Sequence, residues 1–270
     1  MRPRTIHHVA VHVFKESVRD KVLYSIVLFV ALLMGSSFLI GQLTAGQDVK
    51  IIKDLGLAAI SVFGLFIAIF IGIGLVSKEV EKRSIYALLA KPLSRAELVA
   101  GKFAGLALTL AINVGIMAGI FFALLAYYAW ATPEPMQRAW EAPAVDPRLL
   151  TAVFLIYLQL LIVNAMALFF STFTSPIMAA AFSLGLWVAG HFNADLRAFD
   201  QVVEAPAAAA LGKALYYTLP NFAAFDVKAM VVHGQDVAGG LVAMNAAYAA
   251  MYIAILLIAS ALIFSRRDFK

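Results

Sequence analysis

The longest strongly charged piece between two long apolar runs reads SKEVEKRSIYALLAKPLSRAELVAGK, residues 77–102. It holds six of the 21 Lys and Arg, namely Lys78, Lys82, Arg83, Lys91, Arg95 and Lys102, with three acids, Glu79, Glu81 and Glu97. Lys/Arg-rich connections between membrane spans stay in the cytoplasm, and at its simplest such a stretch is a solvated connector. His8 and His12 stand at i, i+4, a spacing that lets two imidazoles share a metal on one helix face. No cysteine accompanies them, and two solvated histidines on a polar helix face are the stronger reading, so no metal site is expected. The sequence has no cysteine, which removes disulfides, thiolate metal sites and thiol catalysis.

Other chemistries are missing as well. No phosphate loop of the form G-x-x-x-x-G-K-[ST] occurs: Gly101-Lys102 is followed by Phe103 and Gly212-Lys213 by Ala214. Neither H-E-x-x-H nor G-x-S-x-G is present. Nothing supports an enzyme or an ATPase site in this chain, and no cofactor is expected in it. The polar groups within the apolar runs are mild: Asn113, Gln159 and Asn164. They suit interhelical hydrogen bonds better than substrate contacts. Small residues at four-residue spacing, Gly101, Gly105 and Thr109, then Gly115 and Gly119, permit close helix approach within a bundle or between protomers.

The charged stretch carries its own folding signals. Ile85, Leu88 and Leu89 make one apolar helix face. Pro92 ends that helix by pushing Lys91 out of the α region. Ser94 and Glu97 form a capping box for a second helix, and Leu93 and Leu98 supply its hydrophobic staple.

These pieces sit in a membrane protein. The chain is 63% hydrophobic and 14% charged, with a mean hydropathy of +0.89, which excludes a soluble globular domain. The expected fold is all-α, with six transmembrane helices near 22–41, 55–76, 103–130, 149–171, 176–190 and 241–264. The fifth is short. Residues 1–21 form an amphipathic interfacial helix, with Ile6, Val9, Ala10, Val13, Phe14 and Val18 opposite a basic face that suits lipid headgroups. The next apolar run is too long for the h-region of a cleaved signal peptide. With both termini cytoplasmic (N-in/C-in), fourteen of the 21 Lys and Arg fall inside, as the positive-inside rule requires. The net charge of +5 then reflects loop asymmetry and not nucleic-acid binding. The 22–270 domain therefore has its cytoplasmic loop at 77–102, and external loops at 42–54, 131–148 and 191–240. Ser175 and Pro176 mark the start of the fifth helix. Tyr127, Tyr128 and Trp130 form an interfacial belt. No ionisable residue lies within the six proposed spans, which disfavours an ion-coupled carrier.

The pattern Glu79-x-Glu81-x-x-Ser84-x-x-x-Leu88-Leu89-x-x-Pro92-x-Ser94-Arg95-x-x-Leu98-x-x-Gly101-Lys102 resembles the first cytoplasmic loop of ABC-2-type transporter permeases. The resemblance implies a coupling helix, with Glu79, Glu81, Ile85, Leu88 and Leu89 contacting a separate ATP-binding subunit. Pro92, Ser94, Arg95 and Glu97 would shape the loop. It further implies two ATP-binding subunits carrying ATP and Mg, and a second permease, identical or related. Translocation would run between the permeases, outward in preference to inward, in a bacterial inner membrane. The alternative is a membrane anchor or mechanical component of a surface assembly without a transported substrate. Leu219-Pro220-Asn221-Phe222 and Phe225-Asp226-Val227-Lys228 resemble, more weakly, the external loop of the permease subfamily that includes the nitrous-oxide reductase maturation transporter. An ordinary turn before the last helix accounts for them equally well.

Overall fold

A computed structural model describes residues 3–19, 28–33, 35–36, 48–81, 95–193, 212–214 and 216–266. Among the described residues the secondary structure is helical, without strands. The main helices are α1 (Pro3–Arg19), α2 (Asp48–Glu81), α3 (Arg95–Ala131), α4 (Glu134–Gln137), α5 (Arg148–Ser171), α6 (Pro176–His191), α7 (Lys228–Val232) and α8 (Gly239–Arg266), with a 3-10 turn at Ala223–Phe225. Four of them contain stretches long and apolar enough to cross a membrane: Val49–Ile73, Ala96–Ala131, Arg148–Ser171 and Gly239–Ser265. The 16-residue α6 falls short of that length. Of the first apolar run, residues 28–33 and 35–36 are described, and they are helical. Phe29 and Leu33 are buried there, and the Phe29 ring meets Phe63 of α2 edge-on at 5.9 Å.

The centre is a seam between α2 and α5. A Cβ built on Gly64 collides with the Leu160 side chain, and one on Gly72 would sit 2.9 Å from the Ala167 Cβ. These contacts rise together along the two helices, so α2 and α5 run parallel. Gly56 admits the Phe121 ring of α3 in the same way. Ile71, fifteen residues on, packs against the cluster containing Leu106, so α3 is antiparallel to α2. Missing side chains at these glycines let backbones approach where lipid offers helices no hydrophobic incentive to associate.

Two helices differ from their sequence-based bounds. α2 begins at Asp48, so Lys50, Lys53 and Asp54 are helical and not in a loop. Burial of Lys53 is tolerated because its ammonium finds the Pro143 carbonyl at 2.7 Å. α3 has 37 residues, about 55 Å at 1.5 Å per residue against about 30 Å of hydrocarbon. It is therefore longer than a straight crossing of the hydrocarbon needs. Ser175 stands at the N-cap of α6 with Pro176 behind it, but its side chain makes no cap hydrogen bond. α8 is peripheral: 17% of its apolar window is buried, against 67% for α2 and α5. Its outward stripe, Met244, Met251, Ile255, Ile258 and Leu262, is left for lipid or another chain.

Candidate functional site

The charged loop is approached from both sides. α2 carries Glu79 and Glu81 in its last turn, and α3 starts at Arg95, the residue after Ser94. For Glu79, Glu81 and Arg95 the description is of the backbone. Ile85, Leu88, Leu89, Pro92 and Ser94 lie outside the described residues. Glu97 is buried in the first turn of α3, where a carboxylate complements the helix dipole.

The emerging helix is gripped from two directions. Val99 packs with Leu168 of α5, and Phe103 and Leu257 of α8 close that cluster. On another side α1 lies against it. A Cβ on Gly101 would come within 2.8 Å of the Val9 Cβ, and one on Gly105 within 2.6 Å of the Ala10 carbonyl oxygen and 2.7 Å of the Val13 Cβ. The first pair of small residues thus receives the amphipathic helix. The second pair, Gly115 and Gly119, faces open space.

The interior amides separate into three cases. Gln159 Nε2 sits 3.1 Å from His191 Nε2, joining α5 to α6. His191 Nδ1 is 2.8 Å from the Trp187 carbonyl oxygen. A carbonyl only accepts, so Nδ1 carries the hydrogen and the neutral ring accepts from Gln159. Asn113 turns back on its own helix, its Nδ2 donating to the Thr109 carbonyl at 2.7 Å. Asn164, 1% exposed and opposite Gly72, has neither amide atom hydrogen-bonded.

The far end of the bundle holds an ionic network that pattern reading did not single out. Glu141 lies 2.6 Å from His233 Nδ1 and 3.6 Å from Lys50 Nζ. Arg148 Nε donates to Asp236 at 2.6 Å, and its Nη1 reaches Asp146 at 3.3 Å. Asp146 is buried, and its Oδ1 accepts the Arg148 backbone N–H at 2.9 Å. The hydrogen bond from His233, then the Lys50 charge, hold the Glu141 carboxyl below its ordinary pKa. Arg148 does the same for Asp236, by hydrogen bond and by charge. Together these pairs tie α2, the 138–147 connection, α5 and the segment after α7. A cavity of about 50 Å³ lies among them, lined by Lys50, Lys53, Trp140, Glu141 and Val232 among others. That volume accommodates a few waters. One local signal was legible: an acid before Pro147 at a helix start. The remaining partners are separated by about 90 residues and no spacing rule joins them.

Pro220, Asn221 and Phe222 form a seat between α6 and α8. Phe222 is fully buried and its N–H donates to the Gly190 carbonyl at 3.0 Å. A Cβ on Gly190 would collide with the Pro220 carbonyl and approach the Phe222 ring. The Asn221 N–H donates to Tyr248 Oη at 3.1 Å, and Asn221 Oδ1 accepts from the Ala224 N–H at 3.3 Å. Asn245 of α8 donates to the Ala224 carbonyl at 2.8 Å. These contacts give the stretch a packing role.

Among the described residues no group of three or more His, Asp or Glu side chains is placed to hold a metal. Residues 8–269 match the family model described as ABC-2 family transporter protein. The match is to the family as a whole and does not support the nitrous-oxide reductase maturation subfamily. No curated protein matches the chain.

Proposed function

Because the chain belongs to the ABC-2 transporter family, and is thereby a multi-pass membrane component of an ABC transporter, we propose that it is the permease of an ATP-driven exporter. Six spans cross a bacterial inner membrane with both termini cytoplasmic. Separate ATP-binding subunits, holding ATP and Mg, dock on the 77–102 loop. A second permease, identical or related, completes the path.

The observation that carries this reading is the family match over nearly the whole chain, in a sequence without a phosphate loop of its own. The packing adds a mechanical reason. The first described turns of α3 are held by α1, α5 and α8, and these contacts are where a push arriving from the loop would enter the bundle. Leu88 and Leu89 supply the apolar contact with the ATPase, and Glu79 and Glu81 the polar one. Leu88→Asp would place an unpaired charge in that contact, which is costly. The expected result is a permease that still folds and inserts but no longer co-purifies with its ATPase. Retained ATPase with unchanged turnover would reduce the loop to a connector.

A further inference from the structure

Lys53 differs from the other cations at the far end of the bundle. It is 1% exposed, and the Pro143 carbonyl at 2.7 Å takes one of its three N–H groups. That bond leaves the charge uncompensated. Among the described residues no carboxylate forms an ion pair with it. Asp146 acts on it through space, but Arg148 already holds Asp146, through Nη1 at 3.3 Å and the backbone N–H at 2.9 Å. Asp236 is bound to Arg148 as well. Glu141 is shared by His233 and Lys50, and Asp54 lies in the field of the same two groups. Lys50 and Lys53 also fall in the first two turns of α2, where the positive end of the helix dipole disfavours cations and favours an anion.

We infer that the cavity beside Lys53 is a binding site for one small monovalent anion of halide size. Lys53 lines it and brings two N–H groups that have no acceptor among the described residues. Lys50 and Glu141, with side chains 31% and 52% exposed, stand at its rim and leave a way in. Glu141 opposes an anion, but its bonds to His233 and Lys50 offset that charge. Much of the remaining wall is apolar, with Val49, Ala142 and Val232. A buried ammonium is costly unless a counter-charge accompanies it. Water brings none, and against an apolar wall it finds few of the two to four polar partners it needs. An anion accepts from both ammoniums in charge-assisted hydrogen bonds, which a low local dielectric strengthens. The volume of about 50 Å³ admits a halide and is too small for an organic anion such as gluconate. The site is separate from the proposed ATPase contact and does not depend on it.

The test follows thermal unfolding of the full chain in nanodiscs while sodium gluconate is exchanged for sodium chloride at constant ionic strength. The wild-type melting temperature should rise and saturate, reaching about 3–5 °C above its gluconate value at roughly ten times the half-saturating chloride concentration. Bromide should act as chloride does. Lys53→Met, which keeps the bulk of the side chain and removes its charge, should lose the response. Lys50→Gln should keep the response but need severalfold more chloride. Lys213→Gln, which removes an exposed cation elsewhere, should behave as wild type. A wild-type melting temperature indifferent to the exchange means that the cavity holds water alone and overturns the inference. So does a response that rises without saturating, which is a bulk salt effect. An undiminished response in Lys53→Met places the anion elsewhere and overturns it too. If Lys53→Met does not insert, an unshifted titration in Lys50→Gln has the same force.

Discussion

Replacing Gly105 with Leu should detach α1, whereas the same change at Gly115, ten residues along the same helix, should not. At Gly105 the first added carbon already stands 2.6 Å from the Ala10 carbonyl oxygen and 2.7 Å from the Val13 Cβ. Both obstacles lie at or next to helix backbone and cannot swing aside. The rest of the leucine then forces α1 away and uncovers Val13, which is 3% exposed. Uncovering one buried valine costs about 1.5–3 kcal/mol, equivalent to about a ten- to hundred-fold loss of protection. At Gly115 a built Cβ meets nothing within 4 Å. Leucine there should be neutral or slightly stabilising, since glycine is the poorer helix former. The assay is amide hydrogen exchange over residues 6–15 in the two variants and wild type. Undiminished protection in Gly105→Leu, or equal loss in Gly115→Leu, would refute the docking of α1 on this glycine pair.

Two further outcomes are expected. The Glu141 carboxyl is held below its ordinary range by His233 and Lys50, so its stabilising effect is full above the unfolded value of about 4.3 and is lost as pH falls through the folded value; the melting-temperature gap between wild type and Glu141→Gln should close on acidification below about pH 4, and a gap independent of pH would contradict the pairing. In the cysteine-free background, single cysteines at Arg138 and Gln235 should react with an impermeant thiol reagent on intact cells while one at Ser84 should not, and labelling at Ser84 or protection at both other sites would refute the topology.

Much of the fold was legible from residues alone, for physical reasons. Long apolar runs have few alternatives in a bilayer, so α3, α5 and α8 fall close to their sequence-based spans. Pro176 fixed the start of α6. The family was legible because the loop pattern is local. Other features were not, because they depend on distant partners. The sequence placed Lys53 in a loop since a lysine rarely enters an apolar helix, and only the Pro143 carbonyl, 90 residues on, makes its burial affordable. The Gly101/Gly105 and Gly115/Gly119 pairs have the same spacing, yet one holds α1 and the other faces open space. The Pro220-Asn221-Phe222 stretch fitted a turn or a subfamily loop equally well, and its seat against Gly190 and Tyr248 could not be read from the sequence.

The central claim is that this membrane component works on ATP hydrolysed by a separate subunit. Its most direct measurement is transport by the complex, or the cellular phenotype that depends on it, with the partner's phosphate-loop lysine replaced. Activity should be abolished by that change and should survive a protonophore at constant ATP. Full activity in the lysine variant, with collapse under the protonophore, would contradict the account and mark the chain as an ion-coupled carrier.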